Sequence, residues 1–511
     1  MKKSILRAVA WISLPLLAIS LLLMVPATDQ SQRKSPAQFE IALELERDTF
    51  RGIDVAAKEI LIKLSRCESA DSKTLIEDVT KLARKVTGDD HVQVSQVGND
   101  CWFLVQSSTL RVKQLMVPFQ SAIKLQSLTV DEQDAANIIY AEPNFLLRID
   151  PQLDGKPFEG PLNDDLFQKG KLWGLQNKDN PGIDIDAVSA WTRSTGSKEI
   201  VVGVVDTGVS YEHPDLKDNI WAAPEDYDIK LGTQTIHCAK GSHGYNAVAK
   251  TTSEICDPID GITSHGHGTQ VSGILGAVGN NQVGVVGVNW STQIIGLKAI
   301  GPTGGRMSDA VNAIEFAIQL RARFPLKANV RVLNASWGYL ANGSIPDQDS
   351  KLLREEIERA NAHDILFVAS AGEDRGNDND AIAHYPSGFY DLPNVVSVTA
   401  IDQAGALAKI SGSLSNHGKL SVHLAAPGSQ IYSTYPQALG YSYYRNSGTS
   451  MAAPFVSGAA ALILSVPACA KLHAPDLRRI LIGGTVATRS VIKTSSGGRL
   501  NVSKSIELCG K

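Results

Sequence analysis

The sequence of 511 residues has little of several features that would point to particular partners. Its formal net charge is only −4, and its Lys and Arg residues form no cluster or stripe, which argues against a nucleic-acid partner. Beyond the N-terminal segment, no apolar stretch is long enough to cross a membrane without glycine or polar interruption. What is present is an ordinary globular composition, with 43% apolar and 20% charged residues. At roughly 100–200 residues per domain, the length predicts two or three folded units.

The first residues predict the compartment. Lys2 and Arg7 belong to a basic start, a mostly apolar run follows over residues 8–26, and Ala27 offers a small side chain to a signal peptidase. We therefore expect a signal peptide over residues 1–27 and a secreted protein, either extracellular or periplasmic. The alternative is an uncleaved membrane anchor, because the apolar run is near the length that spans a bilayer.

The chain has six cysteines, which fits an oxidising compartment. Six cysteines allow 15 pairings, and closure between neighbours along the chain is the simplest of them. Buried free thiols are the alternative. The expected pairs are Cys67 with Cys101, Cys238 with Cys256, and Cys469 with Cys509.

Residues 28–150 read as a small mixed unit. Val55–Leu64 is predicted to be a helix, whereas Cys101–Gln106 and Ile138–Ile149 are predicted to be strands. Residues 151–162 are rich in Pro, Gly and Asp and read as an exposed linker.

After the linker, short β-branched runs alternate with helical patterns, which predicts an α/β fold with a doubly wound, mostly parallel sheet. Such sheets bind ligands outside the carboxyl ends of their strands. The strand-like runs are Ile200–Val205, Ile294–Leu297, Val330–Leu333 and Ile365–Val368, and the helical patterns include Ser308–Arg323 and Leu352–Ala362.

Three motifs carry chemistry. Asp206 follows a buried apolar strand, His267 lies between two glycines at the start of a helix of small residues, and Ser450 opens an apolar helix. Taken singly, each has a plain structural explanation: a turn-capping Asp, a metal-binding or surface His, and an N-cap Ser. Together they form a nucleophile system, because serine needs an imidazole to take its proton and the imidazole needs a carboxylate to fix its tautomer.

These motifs resemble the subtilase family. Asp206–Gly208, His267–Thr269 and Gly448–Pro454 are similar to its three active-site signatures, and the chain order Asp, His, Ser is that of the subtilisin scaffold. The likeness covers about residues 163–487. It implies a subtilisin-like peptidase domain over residues 163–511 that hydrolyses peptide bonds through an acyl-enzyme.

The resemblance also implies where a substrate binds. Ser336, Trp337 and Gly338 match the segment that holds an extended peptide by main-chain pairing, although Trp337 could instead be a core aromatic. Ser370–Gly372 resembles the opposite wall of a side-chain pocket. Tyr140–Asn144 resembles the family's inhibitory propeptide. This resemblance implies that the chain's own N-terminal unit blocks the site until it is cleaved near residues 150–162. The protein is expected to be a monomer.

Calcium is the cofactor that the resemblance implies. Asp164, Asp215 and Asn281 match family ligand positions, and carboxylate and amide oxygens suit this hard cation. Solvated turn residues are the alternative.

The important departure from the family is Glu373, which stands where an Asn usually donates to the oxyanion. An ionised carboxylate would repel the developing charge, whereas a protonated one could donate to it. Asn377 or Asn379 could also reach the site through the longer turn. The expected function is therefore secreted serine endopeptidase, and the alternative is a catalytically weak or inactive subtilase scaffold that binds peptides.

An insertion separates the first two motifs, over residues 218–260. The expected Cys238–Cys256 disulfide would staple it. Its position near the catalytic edge allows it to shape substrate access, or it could be ornamental.

Overall fold

The computed structural model describes residues 45–67, 72–126, 138–149, 165–261, 265–341, 350–488 and 493–510. They all belong to one compact unit, Glu44–Lys511. The expected signal peptide, the linker and Asp164 lie outside the described residues. Among the helices that are described, none is long and apolar enough to span a bilayer.

Residues 45–149 form an N-terminal unit in which two helices pack on an antiparallel sheet. The strands follow the spatial order β3-β4-β2-β5, with β1 also paired to β2. Helix α1 packs on β3, and α2 packs on β2 and β5. The elements are β1 (Arg47–Phe50), β2 (Ile53–Leu64), α1 (Ser72–Thr87), β3 (Gln93–Val97), β4 (Trp102–Gln106), α2 (Val112–Gln126) and β5 (Ile138–Leu147).

The strands expected at Cys101–Gln106 and Ile138–Ile149 are confirmed as β4 and β5, but the helix expected at Val55–Leu64 is wrong, because this segment is strand β2. β2 is central, hydrogen-bonded to β4 on one side and β5 on the other. Its apolar residues are buried on both faces of the sheet, so the period-2 alternation of a half-buried strand is lost. A short apolar run buried all round cannot be told from a helix by periodicity alone.

The larger part of the chain alternates strands with helices. Its strands are β6 (Gly196–Asp206), β7 (Tyr227–Leu231), β8 (Gln234–Cys238), β9 (Gly244–Asn246), β10 (Ser291–Lys298), β11 (Ile300–Gly301), β12 (Gly304–Arg306), β13 (Val330–Ala335), β14 (Tyr339–Leu340), β15 (Leu366–Ser370), β16 (His384–Tyr385), β17 (Val395–Ile401), β18 (Lys409–Ile410), β19 (Ser413–Leu414), β20 (Leu424–Pro427), β21 (Ile431–Thr434), β22 (Tyr443–Asn446), β23 (Val486–Ala487) and β24 (Gly498–Arg499). Its helices are α3 (Asp165–Gln168), α4 (Ala187–Trp191), α5 (His267–Gly276), α6 (Met307–Arg323), α7 (Lys351–Ala362), α8 (Thr449–Leu464), α9 (Ala474–Gly483) and α10 (Val502–Glu507).

The central sheet confirms the expected doubly wound fold. Nine strands follow the order β23-β24-β20-β17-β15-β13-β6-β10-β9, and every neighbouring pair is parallel except β23 with β24. Alternate residues of β6 enter different cores. Val201 and Val205 pack with α6 and α7, whereas Val202 and Val204 pack with α5 and α8. Burial on both faces is what a parallel sheet covered by helices requires.

The N-terminal unit joins the core on the α6 and α7 side. The hairpin β11–β12 extends its sheet, with Gly305 opposite Leu147 and Arg306 opposite Leu146. One residue further on, Arg148 pairs with Gly338 through two main-chain hydrogen bonds of 3.0 and 2.9 Å. The end of β5 therefore lies between two segments of the larger domain.

All six cysteines form disulfides, and the three pairs are the sequential ones that the sequence predicts. The insertion contains the hairpin β7–β8, which packs on α6. Its turn touches the N-terminal unit, since Asn99 donates to the Lys230 carbonyl and accepts from the Gly232 N–H.

Candidate active site

The carboxylate and the imidazole of the expected triad meet at the carboxyl edge of the central sheet. Asp206 is the last residue of β6 and His267 the first of α5, and both are buried. Asp206 Oδ1 lies 2.8 Å from His267 Nδ1 and accepts the Thr207 N–H at 2.7 Å. The approach depends on Gly268, because a Cβ there would lie 2.1 Å from the Gly208 carbonyl oxygen.

Ser450 is the second residue of α8 and is fully buried. Its Oγ donates to the Ser336 carbonyl at 3.1 Å, and the Ser336 hydroxyl donates back to the Ser450 carbonyl at 2.8 Å. The Trp337 indole points into the core and donates to the Val205 carbonyl at 2.7 Å. This bond ties the serine's neighbours to the strand that carries Asp206. Trp337 can therefore meet a substrate only through its main chain.

Glu373 lies at the start of the serine helix. Its Oε1 accepts the N–H of Thr449, the residue before Ser450. In the same turn, the Gly372 N–H donates to Thr449 Oγ1 at 3.0 Å. A carboxylate at a helix N-terminus is favoured by the free N–H groups and the helix dipole. In this structure Glu373 therefore accepts a hydrogen bond at the start of the serine helix. The sequence alone did not decide between this role and that of a donor.

The two asparagines considered as replacement donors have other partners. Asn379 Nδ2 donates to the Ala371 carbonyl at 2.8 Å. Asn377 Nδ2 donates to Asn379 Oδ1 at 2.8 Å and to the Ile382 carbonyl at 2.6 Å. Both side-chain amides therefore stabilise the turn that follows the pocket wall Ser370–Gly372.

Asp260, which ends the insertion, was missed by sequence reasoning. Its Oδ2 accepts both the N–H and the hydroxyl of Thr269, at 3.0 and 2.7 Å, and its Oδ1 accepts the Thr207 hydroxyl at 3.2 Å. It thereby links the segment after Asp206 to the start of the histidine helix. Burial raises the pKa of Asp260 to about 7. Asp257 lies three residues earlier in the same acidic loop, so no local signal marks Asp260 out.

A groove runs past these side chains. His267 borders a cavity of about 480 Å³, which Gln270 and Asn446 also line. The end of β5 lies in this groove, because Leu147 and Arg148 line the same cavity. The last residues of the insertion approach the site, since the Val209 N–H donates to the Pro258 carbonyl at 2.9 Å.

The expected calcium ligands are brought together in part. Asp215 is buried, and its two carboxylate oxygens accept the Asn281 amide at 2.8 Å and the Val285 N–H at 2.9 Å. Asp164 lies outside the described residues. Within the part of the chain that the structure covers, no group of three acidic, His or Cys side chains is placed to hold a metal. With N–H donors on both oxygens, the described residues do not by themselves form a cation-binding shell.

A carboxylate–imidazole pair and a helix-borne serine at the carboxyl edge of a doubly wound parallel sheet define an α/β protein built for serine-based nucleophilic chemistry. Comparison with known families agrees. The profile of the subtilase family matches residues 197–501, which is more than half of the chain. The chain belongs to the subtilase family.

Several named relatives match over this region. "Subtilisin-like protease 1" of Plasmodium berghei is 30% identical over 347 residues, covering 63% of this chain and 50% of the relative. "Extracellular protease" of Xanthomonas campestris pv. campestris is 34% identical over 299 residues, covering 56% and 47%. "Thermophilic serine proteinase" of Bacillus sp. AK1 is 31% identical over 327 residues, covering 64% and 63%. The chain thus spans about half the length of the first two relatives.

The fold is shared with a solved structure. The crystal structure of fervidolysin from Fervidobacterium pennivorans, described as a keratinolytic enzyme related to subtilisin, matches with a TM-score of 0.60 at 20% identity. The match covers 90% of this chain and 62% of that one. It supports the subtilisin-like architecture alone.

Proposed function

We propose that this chain is a secreted serine endopeptidase that works through Asp206, His267 and Ser450. The observation that carries the proposal is the 2.8 Å contact between Asp206 Oδ1 and His267 Nδ1. A proton on Nδ1 that is donated to the carboxylate leaves Nε2 as the base. That tautomer is the one a serine nucleophile needs.

In the proposed reaction, Ser450 Oγ leaves the Ser336 carbonyl, gives its proton to His267 Nε2 and attacks the substrate carbonyl. The imidazolium that forms is stabilised by Asp206 and then protonates the leaving amine, so that the C–N bond breaks. Water repeats the sequence on the acyl-enzyme and releases the acid. The Ser450 N–H at the start of α8 is the main-chain donor for the oxyanion.

The substrate class is an extended polypeptide. The support is the end of β5, which is hydrogen-bonded to Gly338 on one side and paired with Gly305 and Arg306 on the other. An unrelated strand could bind in the same manner, because main-chain pairing makes little demand on sequence.

The same contacts support the N-terminal unit as an intramolecular inhibitor. It places its own strand in the groove, and its buried Glu142 accepts from Ser350 Oγ at 2.8 Å and from the Lys351 N–H at 3.0 Å, at the start of α7. Cleavage near residues 150–162 would convert this unit into a releasable propeptide. The three disulfides and the relative named as an extracellular protease support secretion.

The test uses the full chain purified from the medium or periplasm. Wild type is expected to hydrolyse casein and to react with a fluorophosphonate probe, and Ser450→Ala is expected to do neither. N-terminal sequencing of both proteins locates the cleavage, which should be absent from Ser450→Ala. A folded wild type that neither labels nor hydrolyses casein would contradict the proposal.

Glu373 supports a second candidate function, that of a scaffold that binds peptides without hydrolysing them. A carboxylate beside Thr449 N is poorly suited to receive an oxyanion. In that case the folded wild type would fail to label yet would bind casein-derived peptides as Ser450→Ala does.

Bound calcium is a separate proposal that rests on the family resemblance alone, since the Asn281 amide donates to Asp215 in this structure. If calcium binds there, chelation with EDTA should lower the midpoint of thermal unfolding and added Ca²⁺ should restore it. Asp215→Asn should remove that response. An unchanged midpoint would contradict the proposal.

A further inference from the structure

His384 lies between the two walls of the groove. A Cβ built on Gly338 would lie 2.1 Å from His384 Cε1, and one built on Gly372 would lie 2.7 Å from His384 Cδ2. The imidazole therefore packs against the Cα atoms of both glycines. It is buried, with 2% of its surface exposed. Neither wall could carry a larger residue without moving this ring.

The hydrogen bonds of His384 indicate which nitrogen faces the gap. Ser387 Oγ donates to the His384 carbonyl at 2.7 Å and lies 3.4 Å from Nδ1. Because the Ser387 hydroxyl hydrogen is already donated to the carbonyl, Oγ can only accept a hydrogen bond, so Nδ1 carries the hydrogen. Nε2 makes no hydrogen bond among the described residues, and it lies within 2.8 Å of the Cβ positions built on both glycines. This ring nitrogen is thus directed into the space between the walls.

Both walls are hydrogen-bonded to the start of the serine helix. Ser450 Oγ contacts the Ser336 carbonyl, two residues before Gly338, and the Gly372 N–H contacts the residue before Ser450. His384 and Gly338 line a cavity of about 410 Å³, which Asp374 also borders. A peptide paired with Gly338, with one carbonyl at Ser450, would direct the side chain of the residue before the scissile bond into this gap.

We propose that His384 forms the base of the pocket for the residue before the scissile bond and selects a short side chain that bears a carboxamide, Asn. The inference rests on the proposed peptidase function. The imidazole fills the depth that a large apolar side chain would need, which disfavours Leu and Phe. A substrate that leaves Nε2 unpaired also loses the hydrogen bond that a carboxamide N–H donates to it.

The experiment uses four peptides that differ only in the residue before the scissile bond: Asn, Asp, Leu and Phe. We expect kcat/KM for the Asn peptide to exceed that for each of the other three by about tenfold or more, because the Asp carboxylate has no hydrogen to donate to Nε2. In His384→Gly the order of Asn and Phe should reverse, because the ring no longer fills the gap. Ser387→Ala, which frees Nδ1 without opening the pocket, should reduce the preference for Asn without creating one for Phe.

The outcomes separate this inference from the proposed function. Fluorophosphonate labelling of each variant reports whether its serine site is intact, so a misfolded His384→Gly is recognised, and Ser387→Ala then carries the test. Labelled, active wild type that cleaves the Asp, Leu or Phe peptide as fast as the Asn peptide would overturn the inference and leave the peptidase proposal standing. An unlabelled wild type that cleaves none of the four would overturn both.

Discussion

Two groups of buried carboxyls in this protein are stabilised in different ways. At the active site, Asp206 and Asp260 accept hydrogen bonds from N–H, hydroxyl and imidazole groups. Under the N-terminal unit, Glu356 lies near Glu315, and burial together with the neighbouring Glu315 carboxyl raises the pKa of Glu356 well above its usual range. Hydrogen-bond donors offset part of the cost of burying a carboxylate, whereas a second carboxyl beside it adds to that cost.

The second pair marks the surface that the N-terminal unit covers. Arg359 lies 2.7 Å from Glu315 Oε2 and 3.4 Å from Glu356 Oε2, so one cation serves two carboxyls. Asn99 of the N-terminal unit also donates to Glu315. Uncovering this surface would expose the pair to water. The difference teaches that burial alone does not make a functional site, because the groups packed around a buried carboxyl decide how costly its charged form is.

Asp206→Asn gives the largest expected effect on the active-site group. The amide reverses the hydrogen bond that fixes the imidazole tautomer, so kcat should fall by about 10⁴ with the fold retained. Steady-state kinetics on a casein-derived peptide measures the change, and circular dichroism checks the fold. A loss below about tenfold would mean that Asp206 does not orient His267.

Glu373→Asn tests the acidic residue beside the serine helix. An amide could donate to the oxyanion in place of a carboxylate, so activity should be retained or rise, by up to about 100-fold at alkaline pH. The pH profile of kcat/KM provides the measurement. Glu373→Gln is the matched control for chain length. A large loss of activity in a folded Asn variant would show that the carboxyl itself is required.

Asp260→Asn separates the support of the site from its chemistry. Both carboxylate oxygens of Asp260 face donors, so the amide Nδ2 of the variant must face a donor of Thr269 or Thr207. We therefore expect a loss of about 1–3 kcal/mol in the free energy of unfolding. Chemical denaturation of the variant in a Ser450→Ala background, compared with Ser450→Ala alone, gives the value. Unchanged stability would contradict the linking role of Asp260. Asp257→Asn is the control in the same loop.

Glu356→Gln gives the smallest and most pH-dependent effect. A carboxyl whose folded pKa is raised contributes stability below its unfolded pKa of about 4.3 and loses that contribution as the pH rises through the folded pKa. The variant should therefore melt higher than its parent at pH 9, by about 2 °C or more, and not at pH 4. Thermal unfolding in the Ser450→Ala full chain measures it. Glu358→Gln, on a carboxyl that is 49% exposed, should show no such difference, and equal shifts for both would contradict the prediction.

Sequence patterns predicted the central domain well but the N-terminal unit less well. The β-branched runs that became β6, β10, β13 and β15 are short, strongly apolar and separated by amphipathic helices, so their period and length agree. Strand β2 was wrongly predicted to be a helix, because burial on both faces of the sheet removed the alternation of apolar and polar residues. The roles of Asp260 and His384 were not predicted, for another reason. Each acts on residues far away in the chain, and no local spacing records such contacts.

The sequence by itself determined the motif chemistry around Asp206, His267 and Ser450 and the order of those motifs, whereas it only favoured the three cysteine pairs. These depend on residue identity and local spacing. Only the tertiary structure decided that Glu373 accepts from Thr449, that Trp337 points into the core, and that His384 lies between two glycines. Those facts depend on which distant segments pack together, because the direction of a side chain is set by the space its neighbours leave.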